Sequence, residues 1–212
     1  MNINDELGCC VRVKTSKKRK SFINAAEELF LNQDYASVTI DAIVTTAQSS
    51  KPTFYNYFKS KDDLFEAYII DSAQDFMNEL HETITFTTTI DKTLYHLGST
   101  YIRKLLSPHI IALNKLVIGE AKRQPEIVKI YFEQGVMKVV ATFIYVMEKA
   151  VKSKALQDEN PCVLAKYFKA LCDAECQELA LWGQKLTWTE EEIHLQTQMA
   201  VKNFLKIYAA GV

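Results

Sequence analysis

In the run KPTFYNYFK, residues 51–59, Thr53 and Asn56 stand three apart, with Tyr55 and Tyr57 beside them and a lysine at either end. On a helix of about 100° per residue, Phe54 and Phe58 share one side and must face a core. Pro52, Thr53 and Asn56 then fall on the opposite side, and the two tyrosines on the flanks. Asn carries both a donor and an acceptor, the pair an adenine edge requires, and Thr can meet a base edge or a thymine methyl. Tyrosine hydroxyls and ammonium groups suit phosphate oxygens. Together these types and spacings suit a short helix set into the major groove of DNA.

Such a helix needs others to hold it. Ile40, Ile43, Val44 and Ala47 follow the i, i+3, i+4, i+7 pattern of a short preceding helix, and Thr39 stands at its start. Ser50 is placed to cap the next helix, with Pro52 in its first turn, where a missing N–H does no harm. Ser60 caps the helix after that, and Asp62 and Asp63 suit its dipole. Upstream, a helix from about Lys17 to Asn32 turns Phe22, Ile23, Ala26, Leu29 and Phe30 inward, and Tyr35 closes this small core. Three helices so arranged have helix-turn-helix geometry. Residues 1–61 carry nine Lys or Arg against six Asp or Glu, a balance of +3, and the rest of the chain −4. Arg12, Lys14, Lys17, Lys18, Arg19 and Lys20 form a run without an acid. Alone it reads as a solvated tail; beside a helix-turn-helix it reads as a phosphate-contacting arm. The candidate contacts with double-stranded DNA are Lys17, Lys18, Thr39, Ser50, Lys51, Pro52, Thr53, Tyr55, Asn56, Tyr57 and Lys61.

Residues 18–70 resemble the DNA-binding domain of TetR-type (tetracycline-repressor-like) transcriptional regulators. The shared pattern is INAAEELF, then Tyr35, Thr39, Ile40, Ile43, Ala47 and Ser50, then TFYNYF and SKDDLF. The departures are Asp34, where the family usually has Gly, Gln48-Ser49 in place of Gly-Val, Tyr57 for a frequent His, and Pro52 for a common Gly. Asp34 tolerates a left-handed backbone, whereas Gln48 would cost up to about 1 kcal/mol there. A weaker resemblance, carried by IGEAKRQPEIVKIYFEQG and a following long helix pair, links roughly residues 110–205 to the AefR-type regulatory domain. These resemblances imply a homodimeric repressor of a palindromic operator, released by a small apolar or amphipathic effector. They imply ligand contacts among Phe76, Tyr101, Leu116, Glu120, Met137, Phe168 and Cys172. Dimer contacts are implied among Phe168, Leu179, Trp182, Met199 and Phe204.

The remaining residues set the frame. Six Gly and four Pro in 212 residues disfavour an all-β fold. The patterning predicts an all-α protein of about nine helices. A flexible basic arm (1–16) is followed by a helix-turn-helix domain (17–62) and a larger helical domain for ligand binding and dimerisation (63–212). The fourth helix, from Ser60 to about Leu80, links the two domains. Residues 83–89, TITFTTT, alternate like a strand but have no partner strand and read as a loop. Gly135 is a candidate kink or break, a helix is expected over 161–182, and Thr189 with Glu192 forms a capping box for the last helix. There is no apolar run of about 18 residues and no apolar signal core, which predicts a cytoplasmic protein without a membrane helix. No glycine-rich phosphate loop, HExxH or CxxC is present, and the four His are isolated, so neither an enzyme nor a cofactor or metal site is expected. Cys172 and Cys176 are i, i+4 on a predicted helix. They read as ordinary buried thiols, with a redox-responsive regulator as the alternative. Glu120 and Arg123 pair at the surface or edge a pocket. The competing class is a helical interaction module whose helix-turn-helix binds no DNA; the basic residues around the polar face argue against it.

Overall fold

The computed structural model describes residues 15–83 and 89–210, with side chains described except at 80–83. Among the described residues there are ten helices and no strand beyond one isolated bridge between Leu156 and Ala209. They are α1 (Ser16–Asn32), α2 (Ile40–Thr46), α3 (Lys51–Tyr55), α4 (Lys61–Thr83), α5 (Ile90–Leu105), α6 (Pro108–Glu120), α7 (125–152), α8 (Pro161–Asp173), α9 (Cys176–Leu181) and α10 (Glu190–Tyr208). Residues 1–14, with Cys9, Cys10, Arg12 and Lys14, and the centre of the TITFTTT stretch lie outside the described residues.

Side-chain caps determine where these helices begin. Thr15, Thr39, Ser50, Ser107 and Thr189 each accept a hydrogen bond from the backbone N–H three residues on, and Asn160 from the one two residues on. All four prolines sit in a first helical turn, of α3, α6, α7 and α8. The capping box of Thr189 and Glu192 is complete.

Two expectations are corrected. The helix expected over 161–182 is broken at Ala174, whose φ is +38°. The tyrosyl hydroxyl of Tyr101 donates to Asp173 at 2.6 Å and anchors the end of α8. The chain then re-aims so that Cys176 and Ala180 enter the core as α9. Gly135 does not break its helix. It lies in a π-helical turn, Tyr131–Val136, that joins two α-helical stretches of α7. Such turns fit an extra residue into a continuous helix. Here it brings the backbone at Gly135 against Ile69 of α4.

The buried residues form two cores. One holds Phe22, Ile23, Phe30, Tyr35, Ile43, Phe54, Phe58, Leu64, Phe65 and Tyr68 of α1–α4, and it also takes Leu113 and Val117 of α6 and Ile127 of α7. The other is centred on Leu97, Phe143, Met147, Phe168, Cys172 and Phe204, and includes Phe76 of α4. Helix α4 therefore belongs to both cores, and α6 and α7 reach down into the first.

The turn between α2 and α3 carries a local cost. Ser49 N–H bonds Val44 O at 2.8 Å and Gln48 N–H bonds Thr45 O at 3.0 Å, a complete Schellman ending. Gln48 occupies its left-handed position at φ +46°, where glycine is preferred. Asp34, by contrast, has φ −58° and needs no left-handed allowance. Gln48→Gly is expected to raise unfolding stability by about 1 kcal/mol, because relief of the strained φ outweighs the gain in unfolded-chain entropy. Urea unfolding of both proteins at one protein concentration checks this; an unchanged midpoint would mean the strain at Gln48 does no more than offset that entropy.

Candidate nucleic-acid interface and interior cavity

Helix α3 is a single turn and a half. Ser50 Oγ accepts from Thr53 N–H, and the two hydroxyls meet at 2.9 Å. Phe54 is fully buried and Phe58 nearly so, both edge-on to Phe22 of α1 at ring-centre distances of 5.6 and 6.1 Å. With that side fixed, Pro52, Tyr55 and Asn56 are exposed on the other, and Thr53 is half-buried. Asn56 is the C-terminal cap residue of α3 and keeps a helical backbone, so it remains on the face of Thr53. Thr39 Oγ1 caps α2 by accepting from Ala42 N–H at 3.2 Å.

The cations divide into two kinds. Lys17 and Lys59 are exposed and make no ion pair among the described residues. Lys51 is exposed and pairs with Asp41 at 2.9 Å across the turn. Lys18 and Lys61, expected as phosphate contacts, are engaged elsewhere. The Lys18 ammonium donates to Ala47 O at 3.1 Å and Gln48 O at 3.2 Å, and so closes the carbonyl end of α2. Lys61 donates to Tyr35 O at 2.7 Å and Val38 O at 2.9 Å and lies 4.3 Å from the centre of the Tyr35 ring. Burial lowers its pKa from the usual lysine value. Arg19 and Lys20 both pair with Asp71 of α4. The Tyr57 hydroxyl accepts from Thr15 N–H at 3.0 Å and ties the start of α1 to the end of α3.

The three-helix unit and the helices behind it match known proteins. A family model for the AefR-like transcriptional repressor C-terminal domain covers residues 92–210, and one for bacterial regulatory proteins of the tetR family covers residues 22–68. The chain belongs to the TetR family. It is a helix-turn-helix DNA-binding transcriptional regulator. The TetR-type chain is 24% identical over 194 residues to the uncharacterized HTH-type transcriptional regulator YwcC of Bacillus subtilis, covering 84% of this chain and 82% of that one. Among solved structures it is similar to the Flavonoid-responsive Regulator FrrA, with 25% identity, a TM-score of 0.81, and 93% of this chain and 100% of that one covered. A TetR-family regulator of Mesorhizobium loti has 21% identity, a TM-score of 0.83, and 92% and 100% coverage.

Behind the helix-turn-helix of this TetR protein lies a mostly apolar cavity of about 200 Å³, walled by α4–α9. Phe76 and Tyr101, two of the implied ligand contacts, line it. Leu116, Glu120, Met137, Phe168 and Cys172 do not. Phe168 and Cys172 are fully buried in the second core, and Met137 is exposed on α7. Leu116 and Glu120 instead line a cleft between α6 and the loop after α1. Glu120 is buried there, and its Oε2 meets no donor among the described residues. Composition gave no warning of Lys104, Asn114 or Tyr131 on the cavity wall. The available signal was Asn114 itself, a polar residue on the apolar stripe of Ile110, Leu113 and Val117.

The setting of the two thiols disfavours the redox alternative. Cys172 and Cys176 fall on different helices, both are buried, and burial pushes both thiols up, which disfavours the reactive thiolate. Among the described residues no helix is long and apolar enough to cross a membrane.

The two kinds of lysine are separable by experiment. Lys61→Met leaves two backbone carbonyls without their donor and should cost about 1–3 kcal/mol of stability. Lys17→Met, at an exposed site, should stay within about 0.5 kcal/mol. Denaturant unfolding of both variants is the check; equal, small losses would make Lys61 an ordinary surface cation.

Proposed function

We propose that this TetR-family protein is a homodimeric repressor that two α3 helices seat in successive major grooves of a palindromic operator, roughly 34–36 Å apart. A small apolar or amphipathic effector in the interior cavity releases it. The observation that carries this reading is the cavity's position: α4, whose first residues close the helix-turn-helix core, also forms the cavity wall through Ile69, Ala73 and Phe76. A ligand there stands against the helix that carries the reading head. The relative named for its response to flavonoids fits a cavity of this apolar kind. For release, the effector must bind the non-binding arrangement more tightly than the binding one.

In this reading Pro52, Thr53 and Asn56 face the bases, while Tyr55, Lys17, Lys51, Ser50 and the N-terminus of α2 at Thr39 meet phosphates. The dimer face lies on α8–α10, where Tyr167, Trp182, Leu195 and Met199 expose large apolar surface. Leu179 stands half-buried nearby. Phe168 and Phe204 support that face from beneath, since both are fully buried within the chain.

Selection of genomic fragments by the purified protein tests the function, with an inverted repeat as the expected product. On the selected duplex, Asn56→Ala should cost about 1–3 kcal/mol and much less on a scrambled one. Tyr55→Phe should cost about 1 kcal/mol on both. Equal losses on both duplexes for Asn56→Ala would make it a phosphate or packing residue. For the dimer, Met199→Glu places a charge on the exposed face without touching the core and should yield folded monomers at micromolar concentration. Sedimentation showing an intact dimer would move the interface elsewhere.

A further inference from the structure

His109, the second residue of α6, turns both ring nitrogens to other helices. Nδ1 lies 3.0 Å from Glu27 Oε1 of α1, and Nε2 lies 3.2 Å from the Tyr68 hydroxyl of α4. The ring also meets that of Tyr68 edge-on, at 5.9 Å between centres. A carboxylate only accepts, so in the neutral imidazole Nδ1 carries the proton and Nε2 accepts from the phenol. Burial raises the pKa of Tyr68, and the Glu27 charge adds to it, so the phenol keeps its proton. One side chain thus joins a helix of the cavity wall to the two helices that flank the helix-turn-helix.

These contacts line a polar cleft that also holds Lys20 of α1, Asp71, Ser72 and Asp75 of α4, and Lys104 of α5. Asp71 is paired with Arg19 and Lys20. Glu27 has no ion-pair partner but His109 among the described residues. A proton on His109 turns that contact into an ion pair. Nε2 then donates as well, to the Tyr68 oxygen, whose own proton can turn to Ser72. Lys104 and the N-terminus of α6 oppose the proton. Both stand on the same side of the contact as His109, so they act whether or not α1 is docked. Glu27 stands across it and favours the proton only when α1 is docked. Lys20 is also across it, but Asp71 holds its ammonium at 2.9 Å. Protonation and docking of α1 on α6 therefore favour each other.

We propose that His109 is a positioning residue that clasps α6 to the DNA-binding unit, and that a proton taken up there tightens both the clasp and the hold on DNA. A clasp closed beforehand removes freedom of α1 that binding would otherwise have to remove. Histidine is the side chain whose charge ordinarily changes between about pH 5 and pH 8, so the clasp responds around neutrality. The inference rests on DNA binding and needs neither an effector nor a palindrome.

The test is anisotropy of the full chain on the selected duplex at constant salt, from about pH 6 to about pH 8, with no small molecule added. Wild-type affinity should be about threefold or more higher at the acid end. His109→Asn keeps a donor toward Glu27 but cannot titrate. Glu27→Gln leaves His109 without its carboxylate. Each should flatten the profile. The other three histidines are intact in both variants, so a pH effect that belonged to them would survive unchanged. A flat wild-type profile, or a variant that reproduces the wild-type slope, would overturn the proposal. The wild type decides alone if a variant does not fold. Calorimetry of duplex binding at about pH 7, in two buffers of different ionisation heat, should show net proton uptake. No uptake, or proton release, would overturn the proposal.

Discussion

A five-residue helix does not persist alone in water, because nucleation costs more than its few hydrogen bonds return. Helix α3 exists because Phe54 and Phe58 are locked edge-on against Phe22. The face of α3 proposed to meet DNA follows from that aromatic contact. It decides which side of α3 faces out, how far Asn56 and Tyr55 stand from the body, and how α3 is oriented against α1. The two clamping lysines serve the same end. Lys18 closes the end of α2 that leads into the turn, and Lys61 holds the carbonyls of Tyr35 and Val38 on the approach to α2. Helix α3 is thus fixed from below by rings and the helix before it from both ends by ammonium groups, which leaves the polar side of α3 exposed.

That division explains what the sequence could and could not disclose. Periodicity and capping residues were sufficient for the helix-turn-helix, since Ser50, Pro52, Ser60 and the aromatic spacing act locally. The charge of Lys18 and Lys61 was legible too, but their acceptors were not. Those acceptors are backbone carbonyls 23 to 30 residues away, exposed by the Schellman turn at Gln48 and the short 3₁₀ turn at Tyr35–Ser37. A lysine that grips a carbonyl and one that waits for a phosphate have the same letter and often the same neighbours.

The larger domain was less legible for a different reason. Its apolar stripes announce helices, yet the same Phe or Met serves as core, cavity wall or exposed face depending on how those helices cross. Phe76 and Tyr101 reach the cavity, while Phe168, one helical turn before the anchored end of α8, is sealed in the core. The break at Ala174 had no signal at all, because alanine is a strong helix former. At the break, the Tyr101 hydroxyl holds Asp173, a contact 72 residues apart in sequence.

Helix α6 links the cavity to the helix-turn-helix core. Its residues Ile110, Leu113 and Asn114 touch the cavity, and Leu113 and Val117 also sit in the helix-turn-helix core. At its start, His109 meets Glu27 of α1 at 3.0 Å and the Tyr68 hydroxyl of α4 at 3.2 Å. At its end, the buried Glu120 raises the pKa of Lys61 through its charge, against the larger lowering by burial. Packed cores change arrangement in discrete steps and do not deform smoothly. In the proposed switch, a ligand that shifts α6 must therefore disturb the contact with α1, the shared apolar core, and the electrostatic environment of the lysine that holds the loop before α2. These three attachments are spread over about three helical turns of one rigid element. Such a helix carries a change at Asn114 to all of them together, and in the proposed switch that is how occupancy of the interior cavity alters the placement of α3.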